Sequence, residues 1–481
     1  MPSLGNHIFF TVALIPLLFT APSDGGKVLV YPVDGSHWIN MKIVIEELHA
    51  RGHSIDVIRA SDSCIITCNY WHVCISPMFI SLHFLHQAQR ERASVFTFLK
   101  LTSQFMSMIS KAHSVNCDML GQILDDESLV QRLSDAQYDL VLTDPAIATG
   151  VVLAKYLKLP LVLNVRWITS GDGQFAIAPS PLSYVPVPGS GLTDKMSFTE
   201  FMVGPTDIWL FRSDFVFDFP RPTMPNVVYI GGFQCKPAQP LPSGLEEFVQ
   251  SAGEHGVIIM TLGTLVNALP DDIAEEIASV FARMPQKVIW RNIGKRPSTL
   301  GNNTLIVDWM PQKDLLGHPQ TKVFVAHGGT NGVQEAIYYG VPVLGIPLFF
   351  DQYDNLLRLQ ERGAGKILKL AEVNGRTFEQ GLGEVLHQDS YRNNMQRLSR
   401  LHRDQPIPPL EHAIFWTEYV MRHKGAPHLR TESYRMPWYS YYSIDVMMTL
   451  LAAVTIFLLS IVIMFRFLCC RGRRISKSKI H

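Results

Sequence analysis

The stretch "VFVAHGGTNGVQEAIYYGVPVLGIP", Val323 to Pro347, decides the fold. An apolar run leads into His327 and the pair Gly328–Gly329. A polar turn and a helix-like stretch follow, and a second apolar run closes at Pro347. Continuous apolar strands on either side of a helix suit a parallel sheet covered on both faces. The two glycines let the backbone turn sharply and approach a ligand closely. The helix after them presents unpaired N–H groups and a partial positive charge, which suits a phosphate. With donors from His327, Thr330 and Asn331, the turn reads as a cradle for a diphosphate, built without lysine or metal. Taken alone, the glycine pair fits an ordinary strand–helix turn equally well.

The same alternation extends outward. "GVIIMTLGT", "KVIWR", "NTLIVDW" and "KVFVAH" read as strands and "DDIAEEIASVFARM" as a helix. Nearer the N-terminus come a strand at Lys27–Tyr31, an amphipathic helix ending near Gly52 and a strand at Ser54–Arg59. A further strand–helix–strand unit follows in "YDLVLTDPAIATGVVLAKYLKLPLVLNV". The proline-rich "KPAQPLPSG", Lys236–Gly244, reads as a linker. A chain of 481 residues exceeds one ordinary core. The expectation is an α/β protein with two Rossmann-like domains, 22–235 and 236–430, facing each other across a cleft.

In open α/β sheets ligands collect at the carboxyl ends of the strands. Those ends are Thr264, Arg291, Trp309, His327 and Asp351–Gln352 in the second half, and His37 and Asp144 in the first. Trp309 offers a flat stacking surface with Gln312 close behind it. Glu335, early in the helix after the cradle, is within reach of ribose hydroxyls, and Asp351 with Gln352 suits sugar hydroxyls. On residue type alone His37 also reads as structural, Asp144 as a helix cap and Arg212 as half of a surface ion pair.

Lys+Arg and Asp+Glu both number 42, so no net charge draws the chain to nucleic acid. The apolar Ile8–Phe19, ending in small residues, resembles a secretory signal covering 1–21. Val446–Phe465 carries no charge and matches a bilayer's thickness, giving a transmembrane helix at 446–465 after a juxtamembrane segment at 431–445. The basic residues of 466–481 place that tail in the cytosol and the rest in a lumen. Lysines in "KSKIH" resemble a dibasic retrieval signal of the endoplasmic reticulum. Five of the seven cysteines are lumenal on this reading, with no C-x-x-C, so neither zinc nor a dense disulfide framework is expected. Cys469 and Cys470 sit at the cytosolic membrane face, where palmitoylation is possible. Asn302 opens a glycosylation sequon, "NNT".

The run "DWMPQKDLLGHPQTKVFVAHGGTNGVQEAIYYGVPVLGIPLFFDQYDN" resembles the signature of the UDP-glycosyltransferases, and their vertebrate UDP-glucuronosyltransferase branch most closely. The resemblance runs from "VYPVDGSHW" through "DFVFDFPRPTMPNVVYIGGFQCKPAQPLP" to the membrane segment and basic tail. It implies the GT-B architecture, no metal and no cofactor. It also implies transfer of glucuronic acid from UDP-glucuronic acid to small lipophilic acceptors, with inversion at the anomeric carbon. By motif position, Trp309 would stack on uracil, and Gln312 and Glu335 would hold the ribose. His327, Gly329, Thr330, Asn331 and Gly332 would hold the diphosphate with Thr264 nearby, and Asp351 and Gln352 the sugar. His37 matches the general base, Asp144 its orienting carboxylate, and Arg212 a contact to the donor carboxylate.

One departure stands out. Relatives continue for several dozen residues between "GSGLTDKMSFTE" and "DIWLFRS", which this chain joins almost directly near 200–205. The alternative this raises is a catalytically silent member that binds UDP-sugar, or that pairs with full-length transferases and modulates them. A nucleotide-dependent oxidoreductase is disfavoured, since no G-x-G-x-x-G follows a first strand in either half.

Overall fold

A computed structural model describes residues 25–33, 36–58, 107, 110, 113–165, 206–220, 223–263, 269–348, 351–430, 437–441 and 443–477. The signal segment, Thr264 and the departure near 200–205 lie outside these residues.

Two six-stranded sheets organise the chain, and every strand pair in them is parallel. The first runs β2-β1-β3-β4-β5-β6, from β1 (Lys27–Tyr31), β2 (Ser54–Val57), β3 (Leu140–Thr143), β4 (Leu161–Val165), β5 (Thr206–Phe211) and β6 (Val227–Tyr229). The second runs β12-β11-β10-β7-β8-β9, from β7 (Val257–Thr261), β8 (Lys287–Arg291), β9 (Thr304–Val307), β10 (Thr321–Ala326), β11 (Val343–Gly345) and β12 (Gly365–Ile367). Strands β2 and β9 stop short of the expected Arg59 and Trp309.

Helices among the described residues include α1 (Ser36–Ala50), α2 (Glu127–Asp135), α3 (Thr149–Tyr156), α4 (Ser243–Gln250), α5 (Asp271–Ala282), α6 (Gln312–Gly317) and α7 (Thr330–Tyr339). They continue with α8 (Gln352–Glu361), α9 (Gly375–His387), α10 (Asp389–Arg403), α11 (Pro409–His423), α12 (Trp438–Tyr441) and α13 (Ile444–Lys477).

Alternate residues of each strand feed opposite layers, as the pleat demands. Val28 and Val30 of β1 join Trp38, Met41, Val44 and Leu48 of α1, while Leu29 and Tyr31 join Val151 and Leu153 of α3. In the second sheet Ile258 and Met260 pack on Ile273 and Ile277 of α5, and Val257 and Ile259 on Val333 and Ile337 of α7. Both sheets are thus buried on both faces, which explains why their strands read as unbroken apolar runs.

One segment crosses the expected boundary. Ala413, Ile414, Val420 and Met421 of α11, with Ala426, pack into the first sheet's core although they follow the second sheet in sequence. Beyond them α13 contains an apolar span at Ile444–Phe467, long enough to cross a membrane, with a mean hydropathy of 2.7 and none of it buried. The helix continues through the basic residues to Lys477 rather than ending at 465.

Candidate functional site

Both sheets reverse their strand order at one place, and such switch points open a crevice at the strands' carboxyl ends. In the first sheet the switch falls between β1 and β3, and in the second between β7 and β10. His37 follows β1 and Asp144 follows β3; Gly263 follows β7 and His327 follows β10.

At the first switch point Nδ1 of His37 lies 2.7 Å from Oδ2 of Asp144. His37 is 7% exposed and Asp144 1%. Oδ1 of Asp144 accepts from the Ala146 N–H at 2.9 Å. The residue does not cap the following helix, whose N-cap position is Ala148. Burial alone pushes the Asp144 carboxyl up. The His37 charge and hydrogen bond, the Arg212 charge and the Ala146 N–H outweigh it and hold the carboxyl below its ordinary value. Asp144 is therefore anionic at neutral pH, an acceptor beside Nδ1 of His37. Arg212, just past β5, is 2% exposed. It is no surface ion pair: its charge acts within the first-domain site, on Asp144.

At the second switch point Gly328 turns the chain with φ +88°, and Gly329 stands at the N-cap of α7 without a side-chain cap on the helix. A Cβ on Gly329 would lie 2.6 Å from Nε2 of His327, and one on Gly263 would lie 2.6 Å from Cε1 of the same ring. The imidazole thus fills the space between two backbones that only glycine leaves open. Thr330 Oγ1 donates to Oδ2 of Asp351 at 2.8 Å, and Asn355 Nδ2 donates to the same oxygen at 2.7 Å. Gln352 Oε1 accepts from the Leu348 N–H at 2.8 Å. Gly332 opposes Gln312 and Phe324.

Beside the cradle, Gln312 opens α6 and its Nε2 donates to Oε2 of Glu335 at 2.6 Å. Burial raises the Glu335 carboxyl above its ordinary value, and the Gln312 hydrogen bond and Lys313 charge offset only part of that rise. Trp309 is 69% exposed, an open aromatic face two residues past β9. Exposing so large a ring costs free energy unless something covers it. Asn302 is exposed in the turn before β9. Among the described residues no group of three or more His, Cys, Asp or Glu is placed to hold a metal ion.

Sequence reasoning missed the residues that join the halves. Asn40 Nδ2 on α1 donates to Oδ1 of Asn331 at 2.5 Å. Gln334, 1% exposed on α7, donates to the Arg212 carbonyl at 2.6 Å and accepts from Gln234 at 3.0 Å. Asn40 carried one legible signal, its place one turn after His37 on the same helix. Gln334 carried none.

The sequence matches the protein family described as "UDP-glucoronosyl and UDP-glucosyl transferase" over residues 26–203 and again over 199–479. The chain belongs to this family. It is 40% identical to UDP-glucuronosyltransferase 1A5 of Rattus norvegicus, over 94% of each chain. It is 38% identical to UDP-glucuronosyltransferase 2A3 of Homo sapiens, over 94% of this chain and 95% of the other. Among solved structures it resembles a UDP-glucosyltransferase from Polygonum tinctorium, with TM-score 0.60, 16% identity, and 83% and 99% of the two chains covered. It also resembles the glycosyltransferase VinC, with TM-score 0.55, 18% identity, and 82% and 100% covered. At these identities the likeness is one of fold, the two-domain GT-B architecture. The chain is a glycosyltransferase that draws on a UDP-sugar.

Proposed function

We propose that this transferase moves glucuronic acid from UDP-glucuronic acid to hydroxyls of small lipophilic acceptors, with inversion at the anomeric carbon. The carrying observation is the buried His37–Asp144 pair at 2.7 Å, with the helix that bears His37 hydrogen-bonded through Asn40 to Asn331 of the second domain. An acceptor hydroxyl is a weak nucleophile, and Nε2 of His37 takes its proton as the oxygen attacks the anomeric carbon. Asp144 steadies the imidazolium that forms. The bond from the anomeric carbon to the diphosphate oxygen breaks on the opposite face, and its electron pair leaves with UDP. The N–H groups of α7, with His327, Thr330 and Asn331, meet that growing charge.

Trp309 stacks on uracil, Gln312 and Glu335 receive the ribose, and Asp351 and Gln352 the sugar hydroxyls. The glucuronosyl donor is favoured by the names of the relatives and by Arg212, whose charge already acts on the reacting pair and whose fork suits a carboxylate. The donor set of backbone amides, imidazole, hydroxyl and carboxamide serves a diphosphate without calling on a cation. The apolar span of α13 supports a membrane anchor; the reading places it in the endoplasmic-reticulum membrane as a single pass, with the catalytic domains in the lumen and Asn302 open to glycosylation.

A second reading, a silent member that binds UDP-sugar or modulates full-length partners, is favoured by one observation. The family match comes as two pieces that overlap at 199–203, near the place where the sequence reads as shorter than the family pattern. Transfer of radiolabelled glucuronic acid to a simple phenol separates the two. The enzyme reading expects product, a loss of about 10²- to 10⁴-fold in kcat for His37→Gln, and UDP affinity unchanged in that variant. No product with UDP binding intact selects the silent partner.

A further inference from the structure

We infer that Asn40 is a positioning residue that sets the amide of Asn331 and so couples the donor cradle to the helix carrying the base. The inference rests on the donor reading above. Asn40 is 2% exposed and follows His37 by three residues on α1, so the two side chains lie on neighbouring turns of one helix flank. Its Nδ2 donates to Oδ1 of Asn331 at 2.5 Å, spanning 291 residues of sequence and joining one domain to the other.

Asn331 is the second residue of α7, in the first turn, whose N–H groups receive the diphosphate on the donor reading. A primary amide has one donor end and one acceptor end, whereas a diphosphate offers acceptors only. A carbonyl turned toward phosphate would set two acceptors against each other. The Asn40 hydrogen bond engages that carbonyl and commits the Nδ2 end of Asn331 to the ligand. Gln334, one turn on, plays a different part. Its amide donates to the Arg212 carbonyl and accepts from Gly232 and Gln234, so both its ends are spent within the protein. Gln334 frames the joint, and Asn40 aims a group at the donor.

The test uses the full-length chain in detergent, with UDP calorimetry and steady-state transfer as paired readouts. Asn40→Ala weakens UDP about 5-fold, one ordinary hydrogen bond's worth, and raises the donor KM. Asn40→Asp preserves shape but offers no donor. It draws the Asn331 amide nitrogen to itself, turns the carbonyl toward the ligand and weakens UDP by about 10-fold or more. On an Asn331→Ala background, Asn40→Ala brings no further loss of UDP affinity, because the group it aims is gone. Equal losses in both backgrounds, or a fall in kcat with UDP affinity unchanged, would reduce Asn40 to a prop for α1 and overturn the inference. A parent chain that binds no UDP overturns the donor reading as well. A parent that binds while both Asn40 variants bind equally overturns this inference alone.

Discussion

Glu335 shows how a single buried group records its use. It is 5% exposed, and burial raises its carboxyl above the ordinary value despite the Gln312 amide at 2.6 Å. For an acid whose folded value lies above the unfolded one, the cost appears as pH rises through the unfolded value near 4.3. It is complete above the folded value, so at neutral pH the ionised group destabilises the fold. Glu335→Gln therefore raises the melting temperature at pH 7, while UDP affinity falls on the order of 10-fold through loss of a charged acceptor for ribose hydroxyls. A thermal melt and a UDP titration on one preparation check both signs. A variant that loses stability and affinity together would make Glu335 a structural acid. The sequence made Glu335 legible because the residue sits at a fixed step into the helix after the glycine pair. Its pairing with Gln312 was legible only as proximity, since no pattern in the chain states that α6 and α7 bring those two amide and carboxyl ends together.

At the scale of elements, most strands were legible because both sheets are covered on both faces, which leaves short apolar runs; β5, β6 and β12 were not read. Lys27–Tyr31 and Lys287–Arg291 coincide with β1 and β8. Strand β9 ends at Val307, two residues before Trp309, and that displacement frees the indole from the ladder and turns it outward. The turn between β10 and α7 carries the most constrained backbone of the site. Gly328 has φ +88°, and a Cβ there would lie 2.6 Å from Leu356 Cγ and 2.7 Å from the Gln352 carbonyl oxygen. Gly328→Ala therefore combines a left-handed strain with a collision against α8, and its expected cost is about 1–3 kcal/mol in unfolding free energy. Gly329 has an ordinary φ of −62°, and its added Cβ would meet the His327 ring instead. Gly329→Ala should keep most of the stability and lose donor affinity, as the imidazole is pushed from its place. Melting curves and UDP titrations of the two variants distinguish these fates, and an exchange of the two phenotypes would refute the assignment.

At the scale of the molecule, what escaped the sequence is the set of polar contacts that hold two independent cores in one body. These pair residues hundreds of positions apart, and burial alone decides which charges must meet. Arg358 Nε donates to Asp218 at 3.0 Å, and Asp207 accepts from the Ala426 N–H at 2.7 Å and from Arg430 at 2.6 Å, tying the α11 segment back to the first sheet. Asp214 pairs with His402, Oδ2 to Nδ1 at 2.5 Å across 188 residues. Burial pushes the Asp214 carboxyl up, yet His402 and the N–H groups of Phe217 and Val216 outweigh it, so the folded value lies below the ordinary one. Such a group contributes stability that is fully present above the unfolded value near pH 4 and is lost as pH falls through the lower folded value. Asp214→Asn removes the carboxylate that bonds His402 and the Phe217 and Val216 N–H groups, and is expected to cost about 1.5–3 kcal/mol. That corresponds to several degrees in the first unfolding midpoint. The gap between parent and variant should stay level from pH 8 down to about pH 5 and close below about pH 4, where the parent's carboxylate is protonated too. The midpoint of each chain, followed across that range by near-ultraviolet circular dichroism, decides it. A gap that persists unchanged into acid would mean that Asp214 joins the lobes through shape and neutral hydrogen bonds rather than through its charge.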